Sequence, residues 1–118
     1  MAVPDLTALE KSIIQQSINE RWRNGGIVAE EVDVELRLSK ADREVTECPA
    51  LYWEHNGCTF IVAKVGESRY RSQFFYSAKE QFNTGIEEYT DLGDCVLFLL
   101  RLQADHESER QQNFPKAS

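Results

Sequence analysis

The sequence is poor in the residues that staple, kink or chelate: three cysteines, three prolines and two histidines among 118 residues. Cys48, Cys58 and Cys95 are an odd number at irregular spacing, so they cannot form a fully paired disulfide framework and fit thiols in a reducing compartment. Long apolar runs are also missing. The longest, from Cys95 to Leu100, is far short of the ~20 residues that a membrane-spanning helix needs. The opening Met-Ala-Val-Pro-Asp carries neither a basic segment nor an apolar one, and the expected location is the cytoplasm. No glycine-rich phosphate loop, Walker pattern or dinucleotide fingerprint occurs. Positive charge is short as well. Thirteen Lys and Arg against 20 Asp and Glu leave a net charge of -7, which repels polyanions at long range and argues against a general nucleic-acid coat protein.

What is present is the balance of one folded domain spanning 1–118: 42% hydrophobic and 28% charged residues, with a mean hydropathy of -0.48. Leu6, Leu9, Ile13, Ile14, Ile18 and Trp22 recur every three or four residues and predict a helix over about 5–24, with Asp5 as N-cap and Asn24-Gly25-Gly26 as its stop. From Glu31 the pattern changes to alternation. Val32, Val34, Leu36 and Leu38 face one way and Glu31, Asp33, Glu35 and Arg37 the other, as in a half-buried strand. The polar stretch 39–49 reads as a long connector.

Two β-prone runs flank Asn56-Gly57, a type I′ hairpin signal whose register pairs His55 with Cys58, Trp53 with Phe60 and Leu51 with Val62. A three-residue turn, Gly66-Glu67-Ser68, leads into a fourth strand. This length sets Tyr70, Phe74 and Tyr76 beside Trp53 and sends Arg69, Arg71 and Gln73 to the opposite face; a two-residue turn would place the arginines on the apolar face at a burial cost. Ser77 and Glu80 have capping-box spacing and predict a short helix ending near Gly85. Asp91 or Asp94 opens a last helix that is apolar around more than half its girth, a width that suggests burial on two sides. Residues 104–118 read as a polar, frayed tail.

The expected fold is therefore α+β, in the order α-β-β-β-β-α-α: a four-stranded antiparallel meander with its N-terminal and C-terminal helices packed on one face. If the helices cover Val32, Val34, Leu36, Trp53, Phe60 and Phe74, the other face runs from the acidic edge of Glu31, Asp33 and Glu35 to a basic edge of Arg69 and Arg71. Two such faces pair antiparallel in a two-fold dimer. Tyr52, Ile61, Arg69, Arg71, Gln73 and Phe75 are the expected partner-binding residues.

Chemistry is sparse. Cys48, His55 and Cys58 have metal-binding atoms, but Cys-x6-His-x2-Cys lacks a fourth donor at zinc spacing. His55 and Cys58 are predicted cross-strand neighbours, the arrangement that activates a thiol, yet they sit at a hairpin end with no oxyanion loop. His106 between Asp105 and Glu107 reads as solvated, and the row Glu31, Asp33, Glu35 as a device that keeps a strand edge soluble. No catalytic, cofactor or metal residue is assigned. By elimination the sequence reads as a small acidic, non-catalytic protein-binding protein, an accessory, adaptor, inhibitor or regulatory factor, acting as a homodimer. The second reading is nucleic-acid binding through Arg69 and Arg71 with Phe75. The third is a small enzyme or ligand-binding domain with a pocket near Trp53, Tyr70 and Tyr76.

Overall fold

The computed structural model describes residues 3–23, 25–39 and 41–113. Its elements are α1 (Ala8–Arg21), β1 (Glu30–Leu36), β2 (Thr46–His55), β3 (Cys58–Gly66), β4 (Arg69–Ser77), β5 (Glu80–Phe82) and α2 (Leu92–Asn113). The architecture is α+β, and the five strands form one antiparallel meander in the order β1-β2-β3-β4-β5.

Several local expectations need correction. Helix α1 is capped by Thr7 rather than Asp5, because Thr7 and Glu10 close a reciprocal capping box: Glu10 N–H donates to Thr7 Oγ1 at 3.1 Å and Thr7 N–H to Glu10 Oε1 at 2.7 Å. The helix ends at Arg21, ahead of the expected stop; Asn24 of that stop lies outside the described residues, while Gly25 N–H donates to the Trp22 carbonyl at 2.9 Å and Gly26 stands at φ 61°. The segment after Ser77 is a fifth strand, not a helix. Phe82 pairs with Phe74, its ring lies 5.4 Å from that of Phe74 and 4.3 Å from His106, and aromatic burial there overrides the capping signal. Ser77 Oγ instead accepts from Lys79 N–H at 3.3 Å, closing a turn. Last, β2 begins at Thr46, which shortens the 39–49 connector, and α2 continues through the expected tail to Asn113. His106 against Phe74 and Phe82, and Glu107 at 3.8 Å from Arg21, hold that extension to the body. Residues 114–118 of that tail lie outside the described ones.

The central hairpin has the expected register, with Asn56 at φ 51° and Gly57 at φ 77°. The next turn has two residues, Glu67-Ser68, and a bulge between Lys64 and Gly66 restores the predicted facing: Phe60 opposes Phe74, while Ile61 opposes Gln73 and Ala63 opposes Arg71. The main core lies between this sheet and both helices. Trp53 and Phe60 stack at 5.2 Å, and Phe74, Ile14, Ile18, Val96 and Leu99 close around them.

One strand faces the other way from the expectation. Val32 opposes Ala50, Val34 opposes Cys48 and Leu36 opposes Thr46, so the β1 apolar residues join the face turned away from the helices. They form a second small core there with Cys48, Ala50, Ala63 and Val65. The acidic row is consequently on the helix side, where Glu31 meets Lys11 at 3.1 Å. A one-residue difference in the β1–β2 register inverts the whole strand, and alternation alone does not fix which face is covered.

Candidate functional site

The face turned away from the helices carries a groove, and Arg71 is among the residues that line it. Three small residues, Cys48, Ala50 and Ala63, leave a trough across β2 and β3 in which a long side chain can lie. From β4, opposite Ala63, Arg71 crosses this trough and donates from Nη1 to the Arg37 carbonyl at 3.0 Å and from Nη2 to the Leu38 carbonyl at 2.7 Å. One side chain thus ties the fourth strand to the end of the first. The charge is carried past Cys48, whose thiol is pushed up by burial and partly drawn back by the guanidinium.

Glu88 completes the strap. It accepts two short hydrogen bonds from Arg69, Nε at 2.6 Å and Nη2 at 2.7 Å, and a longer contact from Arg71 Nη2 at 3.4 Å. The Arg69 hydrogen bonds, opposed by burial and aided by both positive charges, hold its carboxyl below the usual carboxylate range. Arg71 Nε remains buried without a hydrogen-bond partner among the described residues.

Beside the strap lies a groove of about 520 Å³. Its floor is apolar, made by Val34 and Leu36 of β1 and Ile61 and Ala63 of β3, with Arg71 and Gln73 of β4 along one side. The loop through Asn83, Gly85, Ile86 and Glu87, which follows β5 on the β4 side of the sheet, lines it as well. That loop is positioned by backbone hydrogen bonds of 2.9 and 2.8 Å between Tyr70 and Tyr89, which continue the β4 edge beyond β5, and by Gly85 at φ 84°. Ile86 at the rim is 49% exposed.

Of the six residues expected to bind a partner, Ile61, Arg71 and Gln73 line the groove. Tyr52 continues their row, opposite Ile61, with its phenol pushed up by a hydrogen bond to Glu30. Phe75 lies beside Thr59. Arg69 sits at the rim, past the bulge, held by Glu88. The expected acidic-to-basic gradient across this face is not present, since Glu31, Asp33 and Glu35 are on the other side. Sequence reasoning missed Val34, Leu36 and the 83–88 loop. The one signal for the loop was the doubled acid Glu87-Glu88 close to a glycine.

The space proposed for a pocket near Trp53, Tyr70 and Tyr76 is filled: Trp53 is 2% exposed and Tyr70 6%, under α1 and α2. A buried polar network occupies its margin. Glu10 Oε1 accepts from Lys64 Nζ at 2.9 Å, Glu10 Oε2 accepts from the Tyr70 hydroxyl, and Lys64 also donates to the Asp5 carbonyl at 3.1 Å. Burial raises the Glu10 pKa, but hydrogen bonds from Lys64, the Thr7 backbone and Tyr70 outweigh it and bring it down to about 2. Burial and the facing carboxylate push Tyr70 up to about 12. This network pins the start of α1 to β3 and β4. His55 opposes Cys58 as expected, but its ring stacks on Trp22 at 4.7 Å, and Cys48 belongs to the opposite face, so the three do not converge. Among the described residues no cluster of three metal-ligating side chains occurs, and no helix is long and apolar enough to cross a membrane.

Comparison of this chain with protein-family models, with curated proteins and with solved structures finds no match.

Proposed function

We propose that this chain is a non-catalytic binding protein that takes an apolar segment of a partner protein into the groove beside Arg71. The observation that supports this reading is the groove itself: aliphatic residues from two strands, left open on the side away from the helices and lined also by a loop with Ile86 at its rim. Its volume suits a few apolar side chains. Arg71 contributes rigidity, since its guanidinium is occupied by two carbonyls and Glu88 and holds the trough at fixed width. The same occupancy leaves little of the arginine pair for phosphate, because Glu88 faces both. The reading is therefore docking of a polypeptide by burial, with polar groups at the margin setting its direction.

Capture with the tagged chain from extracts of its own cells tests the reading. The wild-type chain and a Glu109→Lys variant altered on the far helix should retain the same stoichiometric polypeptide, and Ile61→Lys should lose it while keeping its circular dichroism spectrum. Nuclease-sensitive nucleic acid in place of a polypeptide, a small molecule found in the groove by native mass spectrometry, or a partner indifferent to Ile61→Lys would each overturn it.

A further inference from the structure

On the other side of the molecule, α2 carries an apolar pair that its own chain covers only in part, the Phe98 ring lying 6.0 Å from that of Tyr89. Cys95, Val96 and Leu99 face the core and are fully buried, whereas Leu97 and Phe98 are 42% and 37% exposed. Asp94 and Arg101, also exposed, flank them on the same face, since positions 94, 97, 98 and 101 follow the helical spacing of three, four and seven. Neither the Asp94 carboxylate nor the Arg101 guanidinium has an ion-pair partner among the described residues.

These four positions are symmetric about one point. Asp94 and Arg101 have the same midpoint along the helix as Leu97 and Phe98, with opposite charges at equal distances on either side of it. We infer that α2 pairs antiparallel with α2 of a second copy of this chain, about a two-fold axis passing between Leu97 and Phe98. In that arrangement Leu97 packs on the partner's Phe98 and Phe98 on the partner's Leu97. Arg101 meets the partner's Asp94 at each end. An isologous contact demands this self-complementarity, in which residue i touches j and j touches i. A parallel pairing, or a partner of uniform charge, would leave at least one of the two charges facing its like or facing nothing. The inference is independent of the groove, which opens on the opposite face of the sheet. It also replaces the sheet-to-sheet dimer suggested by the sequence, whose acidic and basic edges do not share a face. A single helix pair covers less than the ~1,600 Å² of a standard stable interface, so association is weak and concentration-dependent.

Sedimentation equilibrium of the full chain, from micromolar to near-millimolar concentration, tests the pairing. The wild type should pass from monomer to dimer mass. Arg101→Asp and Asp94→Arg, each alone, place like charges at both ends and should weaken association by at least about tenfold. An equimolar mixture of the two variants should recover wild-type affinity as a heterodimer, because reversed charge then faces reversed charge and native faces native. Both positions are exposed, so each variant should keep the wild-type far-ultraviolet spectrum. A wild type that stays monomeric throughout, a single variant that dimerises like the wild type, or a mixture that remains monomeric would overturn the inference.

Discussion

Replacing Lys64 by methionine tests whether the buried Glu10–Lys64–Tyr70 network holds α1 to the sheet. Methionine keeps most of the volume and removes the ammonium, leaving the Glu10 carboxylate with only Tyr70 and the Thr7 backbone as donors. Glu10 ionises at about 2 instead of the ordinary 4.5, a difference worth about 3 kcal/mol at ~1.4 kcal/mol per pH unit. The two side chains are 11% and 6% exposed, so solvent screens them little, and loss of one partner of such a buried pair costs about 3–5 kcal/mol. Urea unfolding at pH 7, followed by circular dichroism, should therefore show Lys64→Met less stable by about 3 kcal/mol with an unchanged urea dependence. The pH dependence has a definite sign. A carboxyl whose folded pKa is depressed contributes its stabilisation in full above about 4.5 and loses it as pH falls towards 2, so the wild type should weaken across that window. In Lys64→Met the burial that raises the Glu10 pKa is no longer offset by the ammonium, so the gap between the two proteins should narrow below pH 5 as the carboxyl protonates. The double variant Glu10→Gln, Lys64→Met should cost less than the sum of the singles, since it removes the stranded charge and keeps a side-chain cap. A Lys64→Met penalty under about 1 kcal/mol that is constant from pH 3 to 7 would refute the assignment.

Three further outcomes follow from the packing. Arg71→Met should free the end of β1: backbone amides in 34–38 should exchange faster with solvent, and stability should fall by about 2 kcal/mol through loss of two charge-assisted hydrogen bonds to the Arg37 and Leu38 carbonyls. Protection unchanged in that segment would show that the strap does not hold the end of β1. Phe82→Ala, which removes the ring between Phe74, Tyr76 and His106, should cost about 3 kcal/mol in urea unfolding and shift the His106 ring resonances in NMR. Gly57→Ala should cost about 1 kcal/mol because it puts a β-carbon at φ 77° with open space around it, so that only backbone strain is sensed.

Much of this architecture was legible because local chemistry and tertiary packing agree. Asn56-Gly57 fixed one hairpin, and with it the facing of Trp53, Phe60 and Leu51, since a type I′ turn admits one register. The sequence periodicity of the α2 core likewise matched the covered side, as did that of α1 at Ile14 and Ile18, whereas Leu9, expected on the same stripe, is 70% exposed. The failures share a cause: where two local signals compete, the decision rests with residues distant in sequence. Ser77 and Glu80 could cap a helix, but Phe82 gains more beside Phe74 and His106. Val32, Val34 and Leu36 could face either side, and the side was chosen by the small residues Cys48, Ala50 and Ala63 and by the reach of Arg71. For the candidate site this meant that Ile61, Arg71 and Gln73 were readable as one face, while Val34, Leu36 and the 83–88 loop were not. Arg71 itself was read as a contact for a partner, and the structure uses it to tie strand to strand.

The most direct measurement of the central claim places a photo-reactive benzoylphenylalanine at position 61, on the groove floor, and at position 109 of α2, well away from it, and irradiates each in extracts of the protein's own cells. The account predicts one abundant polypeptide adduct from position 61, joined through an apolar residue of the partner, and none of that species from position 109. The same adduct at equal yield from both positions, or no polypeptide adduct from position 61, would contradict it.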